Sequence, residues 1–166
     1  LEECLHLVCV RARLVHECEQ CRGSMVAMRA TREEVQDAIV KTGNGELVSV
    51  AAVYGEASVV VSGESDAIDA VVTAIDRHVP HRRLNVQNAF HSPLMAGIVE
   101  QYREELLKMK LSVPRIRFIS TVVGHEDVSE VITTPEYWIN HLMQPVLFKE
   151  AATVMLDSGC LAMVEV

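Results

Sequence analysis

Between residues 24 and 87 the spacing of apolar residues switches repeatedly between the two-residue period of a strand and the 3.6-residue period of a helix, and this succession constrains the fold most. Residues 25–30 alternate as a strand does. Thr31 and Glu34 form the capping-box pattern that starts a helix, with Val35, Ala38 and Ile39 on one face and Gly43-Asn44-Gly45 closing it. Residues 47–54 and 58–62 read as two apolar strands joined by a turn that contains Gly55. Ser65 is placed to cap a second helix, whose Ile68, Val71, Val72 and Ile75 fall at i, i+3, i+4 and i+7, and residues 82–86 return as a strand. The order βαββαβ predicts a ferredoxin-like unit over 24–87, with two helices on one face of a four-stranded sheet.

The flanks follow a different pattern. Leu5, Val8, Cys9, Ala12 and Val15 recur at helical spacing, which predicts an opening helix packed through those residues. Residues 93–110 read as one long helix, and 115–120 as a strand with Ile116 and Phe118 on one face. Residues 135–143 read as a helix with Thr134 as N-cap and proline at the first position, and 148–157 as another ending at Gly159. Residues 161–166 form a continuous apolar run of the kind found in buried parallel strands. Helices alternating with buried strands predict an α/β fold, in which 1–23 and 88–166 belong to a larger body interrupted by the 24–87 unit. The opening helix has no sheet partner of its own, so the N-terminal part of that body is expected to precede Leu1.

A chain of 166 residues suits one such unit rather than two independent domains. Fifteen Lys and Arg against 23 Asp and Glu give a net charge of -8, which disfavours a general grip on nucleic acid. No apolar run approaches the ~18 residues of a membrane-spanning helix, so no membrane partner is expected. Neither does the start read as a secretory signal, and five cysteines form an odd set better suited to reduced thiols; a cytoplasmic location is expected. Cys18-x-x-Cys21 lacks a second CxxC, and Cys4 and Cys9 point in different directions on their helix, so no metal site is predicted.

Candidate chemistry centres on Ala89-Phe90-His91-Ser92-Pro93-Leu94-Met95, where the βαββαβ unit gives way to the next helix. Histidine is suited to proton transfer near neutral pH, and junctions between units form clefts. Taken alone, a histidine beside a serine is more often a surface or capping residue. Arg11 and Arg13 by themselves read as the polar edge of an amphipathic helix.

The AFHSPLM run, with VAAVYGEASVVVSG at 50–63 before it and EYWINHLMQPVLF at 136–148 after it, resembles the acyltransferase domain of polyketide synthases and type I fatty acid synthases. It is also similar to the malonyl-CoA:acyl-carrier-protein transacylases. The resemblance runs along essentially the whole chain and implies an α/β-hydrolase-like acyltransferase body with a ferredoxin-like insert. It implies transfer of a malonyl-type unit from CoA, through an acyl-serine, to the phosphopantetheine thiol of an acyl carrier protein, with no cofactor bound by the domain itself. Neighbouring synthase domains such as a ketosynthase are the further partners it implies. His91 matches the family's general base, and Gln144 the position whose backbone carbonyl orients that histidine. Arg11 matches the arginine that binds the free carboxylate of malonyl, and Phe90 the bulky residue of the malonyl-type signature. Asn88 stands where that signature has His, and Tyr54 where the family commonly has Asn. The family's GHSxG nucleophile motif would lie before Leu1.

Two other readings compete. A βαββαβ unit also serves as a non-catalytic ligand-binding or protein-docking module, since fold alone does not name a function. A degenerate acyltransferase domain retained for architecture is the other. No GxSxG occurs among the 166 residues, so the isolated chain is expected to form no acyl-enzyme. Intact-mass spectrometry after incubation with malonyl-CoA should show no ester; a stoichiometric acyl-serine would overturn the assignment.

Overall fold

The computed structural model describes residues 2–75, 78–125 and 130–164. Its centre is a mixed sheet of five strands in the order β4-β1-β3-β2-β5. The first four are β1 (Ser24–Met28), β2 (Val48–Gly55), β3 (Ser58–Gly63) and β4 (His81–Arg83), which pair antiparallel. The two residues of β5 (Val146–Leu147) add a parallel edge to β2. Helices α2 (Arg32–Thr42) and α3 (Ser65–Ile75) sit between β1 and β2 and between β3 and β4.

Local chemistry accounts for most of the helix boundaries. At α2 the Glu34 amide donates to Thr31 Oγ1 at 3.1 Å and the Thr31 amide donates to Glu34 Oε2 at 2.8 Å, a reciprocal cap worth about 1 kcal/mol. Gly43 ends α2 in the left-handed conformation at φ 72, where a side chain would be strained. The cap of α3 differs from expectation. Glu64 accepts the Ala67 amide at 2.8 Å, and Ser65 instead shares a 2.7 Å hydrogen bond with Ser24. A carboxylate is the stronger acceptor for an amide at a helix start, which leaves the serine free to tie α3 to β1.

The sheet buries both faces. Val26, Met28, Val48, Val50, Val53, Val59 and Val61 meet Val35, Ile39, Ile68 and Val71 of the two helices. Met25, Ala51, Ala52 and Val60 form the opposite face, against which Phe90 and Val146 pack. Ala51 and Ala52 are neighbours yet share that face, because the register with β3 slips between Val50 and Ala52. A β-bulge shifts the alternation by one residue in this way.

The remaining helices build a second core. Leu7, Val10 and Leu14 of α1 (Glu2–Glu17) pack with Met95 and Ile98 of a 3-10 turn (Pro93–Ile98), Tyr102 and Leu106 of α4 (Val99–Leu107), and Ile139 and Leu142 of α5 (Pro135–Met143). Of the residues expected to pack α1 only Val15 is buried; Leu5 and Val8 are 57% and 54% exposed, and Cys9 and Ala12 are exposed too. Two apolar stripes run along α1, and contact with α4 selects the one edged by Arg11. The single helix expected over 93–110 is a 3-10 turn followed by α4. Gly97 lies within that turn, and a Cβ there would stand 2.9 Å from Cys18 Sγ, so the turn fits closely against the start of another 3-10 turn, Glu19–Cys21.

Two expected strands do not form. Residues 115–120 are irregular, with Ile116 82% exposed; 161–164 are irregular too, with Leu161 99% exposed, and 165–166 lie outside the described residues. Neither segment has a strand beside it among the described residues, and an apolar run without a ladder partner has no reason to be extended and buried. The helices over 135–143 and 148–157 form as expected, the latter being α6 (Phe148–Asp157). No helix among the described residues is long and apolar enough to cross a membrane.

The approach of the helical layer to the sheet depends on Gly23, where a Cβ would meet the Gly63 carbonyl oxygen at 2.3 Å and Ala89 Cβ at 2.9 Å. Gly23→Ala should lower stability by about 1–3 kcal/mol in denaturant titrations, as overpacking does. Ser62→Ala is the control. Its hydroxyl is buried with no partner among the described residues, so removing it should be neutral or stabilise by up to about 1 kcal/mol.

Candidate active site

The segment carrying His91 is fastened to both layers. The Ala89 amide donates to the Cys21 carbonyl at 2.9 Å, Asn88 Nδ2 donates to the Val15 carbonyl at 3.3 Å, and Ser49 Oγ donates to the His91 carbonyl at 2.7 Å. Ser92 Oγ donates to the Ala89 carbonyl at 2.6 Å while accepting the Leu94 amide at 3.2 Å, which caps the 3-10 turn that Pro93 begins. His91 itself has φ 56, the only positive value at a non-glycine residue among the described ones.

His91 Nδ1 lies 2.9 Å from the carbonyl oxygen of Gln144. A carbonyl can only accept, so Nδ1 carries the proton and the neutral ring presents Nε2 as an acceptor. Gln144 closes α5 with φ -81 and ψ 158, the extended conformation favoured before proline. Its amide still donates to Asn140, but its carbonyl is turned out of the helix towards His91.

Arg11 leaves α1 on the edge of the packed stripe and is half-buried. Among the described residues no carboxylate pairs with it. Its charge acts instead on His91, His141 and Tyr102. Burial pushes the His91 imidazolium down from its ordinary pKa, the Gln144 carbonyl opposes that shift, and repulsion from Arg11 adds to it. For His141 burial is again the largest cause, followed by Arg11 and His91. Burial raises the Tyr102 phenol, with Arg11 working against it.

The sequence assigns no role to His141 or Tyr102. Both carry a signal that was present: Tyr102 falls at i+4 from Ile98 and i-4 from Leu106, and His141 at i+3 from Trp138, whose ring centroid is 5.9 Å away. Phe90 lies between the two cores, packed against the sheet face on one side and the helical cluster on the other. The two residues that depart from the signature also have contacts of their own, Asn88 with Val15 and Tyr54 with Phe148 at 5.7 Å between rings. No three His, Cys, Asp or Glu side chains converge on a metal position among the described residues. Burial pushes the Cys21 thiol up to about 12, which leaves it protonated at neutral pH.

A neutral histidine with an oriented acceptor nitrogen, close to a half-buried guanidinium without a carboxylate partner among the described residues, is suited to moving a proton beside an anionic group. The profile of the acyl transferase domain family matches residues 1–166. The chain belongs to that family. This acyl transferase domain is 36% identical over 160 residues to polyketide synthase GfsB of Streptomyces halstedii, covering 96% of this chain and 3% of that protein. It is 34% identical over 163 residues to hispidin synthase of Neonothopanus nambi, covering 95% of this chain and 10% of that protein. Among solved structures, the acyltransferase domain from the second module of the salinomycin polyketide synthase superposes with a TM-score of 0.87 at 30% identity, over 95% of this chain and 36% of that one. The malonyl CoA-acyl carrier protein transacylase of Clostridium perfringens superposes with a TM-score of 0.84 at 26% identity, over 95% of this chain and 51% of that one. The chain thus spans a small part of these synthases and about half or less of the two solved chains.

His91 and His141 both hold a proton less tightly when folded than the ordinary value near 6.5. The unfolded chain therefore binds more protons as pH falls, and stability is fully present above about pH 6.5 and declines as pH drops below it. Thermal unfolding followed by circular dichroism should show Tm falling between about pH 7 and pH 5.5, with a smaller fall in His141→Gln. A flat or rising Tm over that interval would contradict both shifts.

Proposed function

We propose that this chain is part of an enzyme that moves a malonyl-type unit from CoA, by way of an acyl-serine, to the phosphopantetheine thiol of an acyl carrier protein in polyketide or fatty acid synthesis. The observation that carries this reading is the half-buried Arg11, without a carboxylate partner among the described residues and acting on His91 and His141. Leaving a guanidinium partly desolvated costs stability, and an incoming carboxylate offsets that cost with a planar, two-point contact. Malonyl has such a free carboxylate; acetyl does not. One of the solved relatives is named a malonyl CoA-acyl carrier protein transacylase, which supports this reading.

In this mechanism His91 is the base. The serine hydroxyl, supplied from outside these 166 residues, gives its proton to Nε2 as its oxygen attacks the thioester carbonyl; the CoA sulfur leaves and takes that proton. The carrier thiol then gives its proton to Nε2, its sulfur attacks the ester, and the serine oxygen recovers the proton as it departs. The Gln144 carbonyl stabilises each imidazolium through Nδ1–H, so only the backbone at 144 is required. Phe90 would crowd a branched α-carbon. The strand order β4-β1-β3-β2 and the two helices between those strands support a ferredoxin-like small subdomain over 24–87, with 1–23 and 88–166 in the larger one. A ketosynthase and other synthase domains are the proposed neighbours, in the cytoplasm.

In the full-length protein Arg11→Ala should slow malonyl transfer by roughly 30- to several-thousand-fold in kcat/KM and acetyl transfer far less, as judged by transfer of labelled acyl groups. Equal losses would make Arg11 structural. His91→Ala should lower acylation by at least ~100-fold, Gln144→Ala should leave it nearly intact, and wild-type kcat/KM should rise with pH through an apparent pKa below about 6.5. Near-normal acylation by His91→Ala would sink the assignment of the base.

A further inference from the structure

We propose that Ser49 is a positioning residue for His91, acting through its hydrogen bond to the His91 carbonyl. On β2, Val48 and Val50 point into the core beneath α2 and α3, so Ser49 between them faces the other way, towards the segment 88–92. Its Oγ donates to the His91 carbonyl at 2.7 Å across 42 residues of sequence.

The reason for this bond lies in the backbone of His91. A residue with a Cβ held at φ 56 is strained and keeps that conformation only if its surroundings over-determine it. Ser92 Oγ holds the turn by binding Ala89, but this does not act on the peptide group between His91 and Ser92. Ser49 holds that group directly, and its orientation sets the direction of the His91 side chain from Cα. The same strand pairs with β5 at Ala52–Val146 and Val53–Leu147, immediately after Gln144 and Pro145. One strand therefore places both ends of the His91–Gln144 hydrogen bond: the histidine through Ser49, and the carbonyl through the ladder.

A cleft of about 280 Å³ reaches Ser49 between Arg32, Gln36, Ser92, Met143 and Gln144. Water entering it can satisfy the His91 carbonyl when the hydroxyl is removed, but a mobile donor does not define a direction. Loss of Ser49 should thus misalign the histidine without unfolding the protein.

The kinetic part rests on His91 being the base, and the test separates the two. Ser49→Thr and Ser49→Val are nearly isosteric, suit a strand, and differ in the hydroxyl. In the full-length protein Ser49→Val should lower kcat for malonyl transfer roughly 3- to 10-fold, the worth of a neutral hydrogen bond, with KM within about twofold; Ser49→Thr should stay within about twofold of wild type. Ser49→Ala, which adds no volume, should repeat the loss. Independently of activity, carbethoxylation of His91 by diethyl pyrocarbonate, followed by peptide mass spectrometry across pH, reads the state of the ring. Its midpoint should move up towards 6.5 in Ser49→Val and stay in place in Ser49→Thr, because a loosened ring is better hydrated and burial is the main cause of its shift. Identical behaviour of the Thr and Val variants in both measurements would overturn the proposal. Should His91→Ala keep its activity, the reading of His91 as base fails, and the modification profile still decides Ser49: a shift confined to the Val variant supports it, and no shift refutes it.

Discussion

Two parallel pairings, Ala52 with Val146 and Val53 with Leu147, hold the helical layer and the sheet in one relation. A ladder this short contributes only about 0.5–1.5 kcal/mol per hydrogen bond, yet it acts where the backbone leaves α5. Val146 adds its side chain to the sheet face that Phe90 also covers, and the Leu147 amide donates to Thr121 at 2.7 Å, which draws the 120–125 turn to the same edge. Without this edge the carbonyl of Gln144 would have no defined distance from residues 88–92. The bulge in β2 belongs to the same arrangement, since it turns both Ala51 and Ala52 to the face where small side chains let Phe90 approach.

Charge is distributed differently in the site and on the surface. Arg103 pairs with Glu136 to fasten α4 to α5, and Lys149 pairs with Glu56 to fasten α6 to the β2–β3 turn. Such exposed pairs are worth at most about 1 kcal/mol each. Arg11 is half-buried and has no carboxylate partner among the described residues. Burial first, with repulsion from Arg11 adding to it, makes His91 and His141 hold their protons less tightly, which favours the neutral rings as acceptors.

Most features whose hydrogen bonds close within three or four residues were legible in the chain, the Glu64 cap of α3 being an exception. The Thr31–Glu34 cap, the Gly43 stop, the Thr134-Pro135 start and the extended Gln144 before Pro145 are all of this kind. The face of α1 that packs was not legible, because both of its stripes are apolar and only α4 selects between them. The segments 115–120 and 161–164 have strand composition, but a strand also needs a neighbour, and composition does not report one. His91, Arg11, Phe90 and Gln144 could be named from motif resemblance. His141, Tyr102 and Ser49 could not, because their part in the site depends on which helix or strand faces them.

Sequence by itself therefore determined the capped starts of α2 and α5, the Gly43 stop, and the alternation of strands and helices through 24–87. Tertiary structure decided that a neutral histidine, a guanidinium without a carboxylate partner among the described residues and a freed carbonyl come together, although 80 residues separate Arg11 from His91 and 53 separate His91 from Gln144. The physical reason is range. Caps and turns are settled by bonds among adjacent residues, whereas the place of a charge depends on burial, and burial is a property of the whole packed chain.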